Sequence, residues 1–378
     1  MKRSQFCLIV PVLQTEKILR LFIDSLFKSL QYTSTIIFVD DGSSQASKNI
    51  LLDSKNIKNE FVVRIEIIEN EKPMGCAKSI NKALKFLPDC DIVTFLDSDL
   101  ILTEDWQKHV LESFENQNIG IVGGMLLYPQ TNGIQCCGIT FNNSVGRHLF
   151  LNNKPELIGL NENFEIQATV FAFCNITYPA VKKVGNLDER FFNGYEDWDY
   201  QFRIRKHGWM AVTNPQIKLY HWETSCGPHR TFNRKSNLGL FWSKHSTYVQ
   251  NDISKYIDDS IVYLRDKYIV IDLCEGRAEI EAIKQTLLDA NLIAEYLDFS
   301  YIVSKESIWL SQVFNSTFFL NNRPIIYLVD NFLKLLDNQY WWSLRSHICD
   351  KDVIVDLYGN VLPFKVLSQC FWPGSKIR

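Results

Sequence analysis

The residues of this sequence best suited to chemistry are carboxylates that come in tight groups. Asp97-Ser98-Asp99 ends an unbroken apolar run, Ile92-Val93-Thr94-Phe95-Leu96. Two hard oxygen ligands at i and i+2 can face one divalent cation together with diphosphate oxygens. Mg2+ or Mn2+ is the expected type, because these ions keep waters and substrate phosphates in their shell. Asp and Ser are also ordinary turn formers, so it is the strand-end position that strengthens the signal. Asp40-Asp41-Gly42-Ser43 closes a second apolar run. A carboxylate there can accept a hydrogen bond from a base N–H or a ribose hydroxyl, and a plain turn would explain it equally well. Glu196-Asp197-Trp198-Asp199 is a run of carboxylates that repel one another unless a cation or a proton offsets them. A helix N-terminus would favour such a run. The preceding Phe191, Phe192 and Tyr195 argue instead for an aromatic pocket, where a carboxylate suits general-base work on a hydroxyl. His221 precedes a basic stretch with His229, Arg230, Arg234 and Lys235. An imidazole with guanidinium groups nearby suits a metal–diphosphate complex, against the plainer readings of a core histidine and solvated charge.

The elements that must position these groups alternate. Phe6–Val10, Ile36–Val39, Val62–Ile68 and Ile92–Leu96 read as strands buried on both faces. Ile18, Phe22, Leu26 and Leu30 form one apolar helical face, and a second helix is expected over Ser79–Phe86 after the Gly75 turn. This rhythm predicts an α/β fold around a mostly parallel sheet flanked by helices. Functional loops then belong at the carboxyl ends of the strands, where the acidic groups fall. Ile217–Tyr220 reads as a further strand, and Gly227–Asn237 (GPHRTFNRKSN) reads as a mobile, turn-rich loop with no apolar period. Tyr268–Leu273, Pro324–Val329 and Asp352–Leu357 then repeat a strand pattern, with a helix expected over Ala278–Leu288. The expected domains are 1–250, carrying the acidic groups, and 255–378, a smaller α/β accessory unit.

Composition excludes several classes. With 46% hydrophobic and 22% charged residues, the chain can bury a core and is not disordered. A net charge of -3 gives no bulk attraction to nucleic acid or to an acidic membrane. The 10 Cys include no CxxC pair, so reduced thiols in a cytoplasmic protein are expected rather than a disulfide or zinc framework. The apolar run Phe6–Leu13 contains Pro11 and is about half the roughly 18 residues a membrane span needs. Contact with the membrane's inner face would therefore be peripheral.

Taken in order, these motifs resemble the family 2 glycosyltransferases of the GT-A fold. Ile9-Val10-Pro11-Val12 resembles that family's opening strand, and Val39-Asp40-Asp41-Gly42-Ser43 its nucleotide-binding turn. Asn70 through Gly75, Ala77 and Asn81 is similar to its N-x-G-x-A-x-x-x-N segment, with Gly75 displaced by extra residues. Phe95–Asp99 matches its DxD strand. Gly185–Phe192 followed by Tyr195–Asp199 and Arg203 matches GxLDExFFxxxEDxDxxxR, and Tyr220-His221 with Thr224-Ser225 resembles its late His and Ser motif. The resemblance covers about 5–245. It implies a UDP-, dTDP- or GDP-sugar donor, UDP favoured, and a divalent cation, Mn2+ or Mg2+. Asp40 or Asp41 would contact the base and Asp97 the ribose. Pro11, Val12, Gly75, Lys78 and Ser98 would lie along the donor, with Arg230 or Arg234 near its diphosphate. Asp99 and His221 would hold the metal, Asp197 would be the general base and Glu196 its neighbour. The family inverts the anomeric centre, so one displacement suffices and no covalent glycosyl intermediate is required.

The expected activity is transfer of a sugar to a hydroxyl of a surface glycan, a lipid-linked acceptor or a protein. The 255–378 unit would dock an acceptor, a partner or a second subunit. A nucleotidyltransferase would also use acidic metal ligands, but it usually opens with a Gly-rich phosphate loop, and Pro11–Thr15 contains no Gly. A catalytically silent sugar-nucleotide scaffold would have no use for the full acidic set Asp97, Asp99, Glu196 and Asp197.

Overall fold

The computed structural model describes residues 3–13, 16–142, 145–151, 155, 161–222, 228–250, 252, 269–272, 285, 302–304, 325–329 and 353–363. Two compact units divide the chain. One comprises Met1–Thr140, His148–Phe150 and Leu160–Val249, the other Phe141–Arg147, Leu151–Gly159 and Gln250–Arg378.

In chain order the first part runs β1 (Phe6–Val12), α1 (Glu16–Ser29), β2 (Ser34–Asp40), α2 (Gln45–Ser54), β3 (Val62–Glu69), α3 (Cys76–Leu84), β4 (Ile92–Leu96), β5 (Leu100–Ile101), α4 (Trp106–Ser113), β6 (Ile119–Leu127), β7 (Ile134–Cys136), β8 (Ile139–Asn142), β9 (Val145–His148), β10 (Phe164–Ile166), β11 (Phe173–Thr177), α5 (Tyr178–Val184), α6 (Glu196–Arg205), β12 (Met210–His221) and α7 (Pro228–His245). The main sheet has the order β10-β12-β6-β11-β4-β1-β2-β3, with β5 on β12 and β7 on β6. Pairs β1/β2, β1/β4, β2/β3 and β6/β12 are parallel, while β11 is inserted antiparallel between β4 and β6. The sheet is therefore mixed and mostly parallel, as expected.

The unbroken apolar runs are buried on both faces because helices cover both sides of the sheet. Every residue from Phe6 to Val10 is fully buried. Helix α1 buries Leu19, Phe22, Ile23, Leu26 and Phe27, one apolar stripe. Trp106 of α4 is also fully buried. It lies edge-on to Phe6 and Phe173, each 5.6 Å between centroids, and its indole N–H donates to Ser29 Oγ at 3.1 Å. Pro11 does not end β1. The β1–β4 pairing stops at Ile9 while the β1–β2 pairing continues to Val12, so the proline stands past the end of one ladder.

The segment Gly227–Asn237, expected as a loop, is helical from Pro228 onward. Proline suits a first helical turn. Further along the helix Phe241 is fully buried, and such tertiary packing is what stabilises most protein helices.

In the second unit, β13 (Ile269–Asp272), β14 (Ile302–Ser304), β15 (Ile325–Val329), β16 (Val353–Asp356) and β17 (Val361–Pro363) form a sheet of order β14-β13-β15-β16-β17. It is parallel except for the β16/β17 hairpin. Asp356 closes that hairpin by accepting from the N–H groups of Tyr358 at 3.0 Å and Asn360 at 2.8 Å. Of the helix expected over Ala278–Leu288, Gln285 is described and is helical, and the rest lies outside the described residues.

Candidate active site

Backbone pairing brings Asp97-Ser98-Asp99 and His221 together. β4 delivers Asp97 to the sheet's carboxyl edge, where its N–H donates to Ala172 O at 3.0 Å. The chain then re-enters the sheet as β5, which pairs antiparallel with the end of β12 so that Leu100 faces His221. The N–H of Trp222 donates to Asp99 O at 3.1 Å. This register sets His221 Nε2 at 3.1 Å from Asp99 Oδ1 and 3.8 Å from Asp97 Oδ2. The side chain of Asp97 is 43% exposed and that of Asp99 only 3%, so Asp97 is the carboxylate open to a ligand. Ligand atoms of all three residues lie within 4.8 Å of one another. The pairing thus adds Asp97 to the expected metal pair of Asp99 and His221.

The other imidazole nitrogen is also held. His221 Nδ1 lies 2.5 Å from Gln135 Oε1 on β7, and an N–H there donates to the amide oxygen. In the unprotonated ring this leaves the lone pair on Nε2, facing two carboxylates. A shared cation resolves that arrangement, and two hard oxygens with one imidazole nitrogen suit a divalent ion such as Mn2+.

Asp41 ties β2 to the Asn70–Gly75 turn. Its Oδ1 accepts from Asn70 Nδ2 at 2.7 Å and Met74 N at 2.8 Å, and its Oδ2 from Gly75 N at 3.0 Å. Asp40 is fully buried, with Oδ1 accepting from Ser43 N at 2.8 Å and Lys48 Nζ lying 3.6 Å from Oδ2. Val12 O accepts from Asp41 N at 2.9 Å and Ser43 Oγ at 3.1 Å, which anchors Pro11-Val12 to the same turn. Gly75 caps α3 at φ 88°, where a Cβ would come within 3.0 Å of the Phe192 ring. Lys78 is partly buried in the first turn of α3. Ser98 is 2% exposed, between the two carboxylates. Arg230 and Arg234 lie on the N-terminal half of α7.

The Glu196–Asp199 run opens α6, and its members have separated. Glu196 is buried and accepts from Gly194 N at 2.5 Å. Asp197 is partly exposed, and its Oδ1 accepts from Trp198 N at 2.9 Å. Asp199 is fully buried and meets Lys244 Nζ at 2.5 Å, His245 Nε2 at 2.8 Å and Arg203 Nε at 3.0 Å. Burial alone would raise its pKa, but these partners outweigh burial and hold the carboxyl below its usual range. The cations that offset the acidic run are thus partly the protein's own.

Two contacts join the halves of the site. Asn81 of α3 donates through Nδ2 to Leu187 O and Glu189 Oε1, each at 3.0 Å, and its Oδ1 accepts from Leu187 N at 2.8 Å. Cys76, the first residue of α3, donates its N–H to Asn193 Oδ1 at 3.0 Å. Its thiol is pushed well up by burial and by the negative fields of Glu196, Asp97 and Asp197. One thiol therefore senses carboxylates from both the DxD strand and α6. Neither Gln135 nor Cys76 carried any signal in the sequence, since each is an isolated residue outside every motif.

Residues 7–152 match the family model described as Glycosyl transferase family 2. No curated protein matches the sequence. Among solved structures the chain resembles that of "GalNAc-T7 with UDP, GalNAc and Mn2+", at 14% identity and a TM-score of 0.51, covering 68% of this chain and 55% of that one. It also resembles "Mannosyltransferase PcManGT from Pyrobaculum calidifontis in complex with GDP-Man and Mn2+", at 13% identity and a TM-score of 0.49, covering 70% and 71%. The mixed, mostly parallel sheet flanked by helices is the GT-A fold. Residues 7–152 thus resemble glycosyl transferase family 2, and this match supports reading the protein as a glycosyltransferase. Among the described residues, no helix is long and apolar enough to cross a membrane.

Proposed function

We propose that this glycosyltransferase moves a sugar from a nucleoside diphosphate donor to an acceptor hydroxyl, with inversion and with a divalent cation. The observation that carries the reading is the convergence of Asp97, Asp99 and His221 at one strand edge, open toward ligand on the Asp97 side. The presence of UDP and Mn2+ with GalNAc-T7 supports a UDP-sugar and Mn2+ here. A bound cation would neutralise the diphosphate as it leaves. The protein's own groups supply the rest. Asp97, Asp99 and His221 hold the ion, with His221 oriented by Gln135. The turn built by Asp41, Asn70 and Gly75 shapes the wall beside the nucleotide. Asp197, partly exposed at the start of α6, takes the proton from the acceptor hydroxyl, and Glu196 shapes the turn in front of it.

The acceptor is a glycan, a lipid-linked glycan or a protein, reached from the cytoplasm and, for a lipid-linked acceptor, at the inner face of the membrane. The two domains proposed are a transferase domain over 1–250 and an accessory domain over 255–378 that docks acceptor, partner or second subunit. Thermal denaturation with a panel of UDP-, GDP- and dTDP-sugars tests the donor site. One sugar nucleotide should raise the midpoint only when Mn2+ or Mg2+ is present, because a ligand of the folded state stabilises it by mass action. A shift that is the same in EDTA would sink the metal-dependent reading.

A further inference from the structure

The turn in front of α6 is an unusual piece of backbone. Three consecutive residues, Asn193 (φ 51°), Gly194 (φ 145°) and Tyr195 (φ 69°), have positive φ, and two of them are not glycine. Such residues persist only where their surroundings fix them. Asn237 of α7 is 4% exposed, and its Nδ2 donates both to Phe192 O at 3.0 Å and to Gly194 O at 2.9 Å. Both partners are carbonyl oxygens, so the amide must present its NH2 group and its orientation is fixed. Tyr195 is held from the same helix by Phe241, whose ring centroid lies 6.1 Å away, and it also packs on Trp198 of α6 at 4.8 Å. Lower on α7, Lys244 and His245 grip Asp199. The helix thus holds α6 at two places, and Asn237 acts where α6 begins, at Gly194, two residues before Glu196 and three before Asp197.

We infer that Asn237 is a positioning residue for the carboxylates Glu196 and Asp197. It pins the left-handed turn so that α6 starts with Asp197 toward the acceptor hydroxyl. This inference rests on Asp197 being the general base. Without the two Nδ2 bonds, the turn is free to relax toward ordinary φ and carry Asp197 away from its working position. A displacement of about 1 Å in a catalytic group can cost on the order of 100-fold in rate. The cation ligands lie on other strands, and the turn meets the donor side through the side chains of Asn193 and Phe192, which Asn237 Nδ2 does not bond, so donor affinity should change little.

The test uses the full chain with the sugar nucleotide that shifts its denaturation midpoint. Mn2+-dependent release of nucleoside diphosphate, with water as acceptor, is measured beside donor affinity. Asn237→Ala should lower turnover by about 10- to 100-fold with donor affinity changed less than about twofold. If the alanine variant does not fold, Asn237→Ser retains a small donor, and the same split in milder form is expected. Undiminished turnover, or a fall matched by an equal loss of donor affinity, would overturn the inference. Asp197→Asn is the control. If it is inactive while Asn237→Ala turns over fully, Asn237 has no positioning role. If Asp197→Asn is itself fully active, the base assignment has failed instead.

Discussion

Asp199 and Asp197 differ by two positions, and the structure assigns them opposite consequences. Replacing Asp199 by Asn keeps the shape but removes a fully buried charge that faces Lys244, His245 and Arg203. Breaking a buried pair by removing one partner costs about 3–5 kcal/mol, because the other charge is left uncompensated. Here the stranded cations keep some company. Lys244 Nζ retains Asp188 at 2.7 Å, and Arg203 retains the carbonyls of Asn186 at 2.9 Å and Val184 at 3.3 Å. The expected loss is therefore about 2–3 kcal/mol, at or just below the lower end of that range. At roughly 2–4 °C per kcal/mol for a unit of this size, the midpoint should fall by about 4–12 °C. The pH dependence has a definite sign. The folded carboxyl is held below its unfolded value, so its contribution is complete above about pH 4, the unfolded pKa. It is lost as pH falls through the lower folded value, and the gap between wild type and variant should close there. Urea denaturation at pH 7 and at successively lower pH reads this directly, as a change in midpoint at constant slope. A loss under about 0.5 kcal/mol at pH 7, the range of an ordinary surface substitution, would refute the claim that Asp199 anchors α7 to α6.

Asp197→Asn should bind donor and Mn2+ normally but lose about 100- to 10,000-fold in transfer, because an amide cannot take the proton; isothermal titration beside a turnover assay separates the two. Asp99→Ala and His221→Ala should each remove the Mn2+-dependent part of donor stabilisation, leaving a denaturation midpoint that no longer responds to EDTA. Gly75→Ala places a Cβ at φ 88° within 3.0 Å of the Phe192 ring. It should destabilise the protein by about 1–3 kcal/mol, and a neutral or stabilising result in thermal denaturation would contradict that geometry.

The four strands that lead to the acidic groups are legible because residues buried on both faces leave an unbroken apolar trace. So is the position of Asp97–Asp99, since a polar triplet after such a run can only be a strand end. The role of Asp199 is not legible. Nothing within EDWD distinguishes its third carboxylate from its second, and the difference comes from Lys244 and His245, more than forty residues on. Helix α7 is not legible for a related reason. Its opening residues are polar and turn-forming, and the contacts that make it a helix, Asn237 to the 192–194 turn and Phe241 to the aromatic cluster, are long-range. Gln135 is invisible because its significance lies in one hydrogen bond across two strands.

The antiparallel step between β5 and the end of β12 has a further implication for how much the chain's length can vary. His221 reaches Asp99 because a backbone ladder counts residues, and side chains alternate between faces along a strand. One residue inserted between Leu219 and His221 would turn the imidazole to the opposite face of the sheet while leaving the surrounding strands paired. A length change after Trp222 comes once that count is complete, so the register that sets His221 against Asp99 is kept.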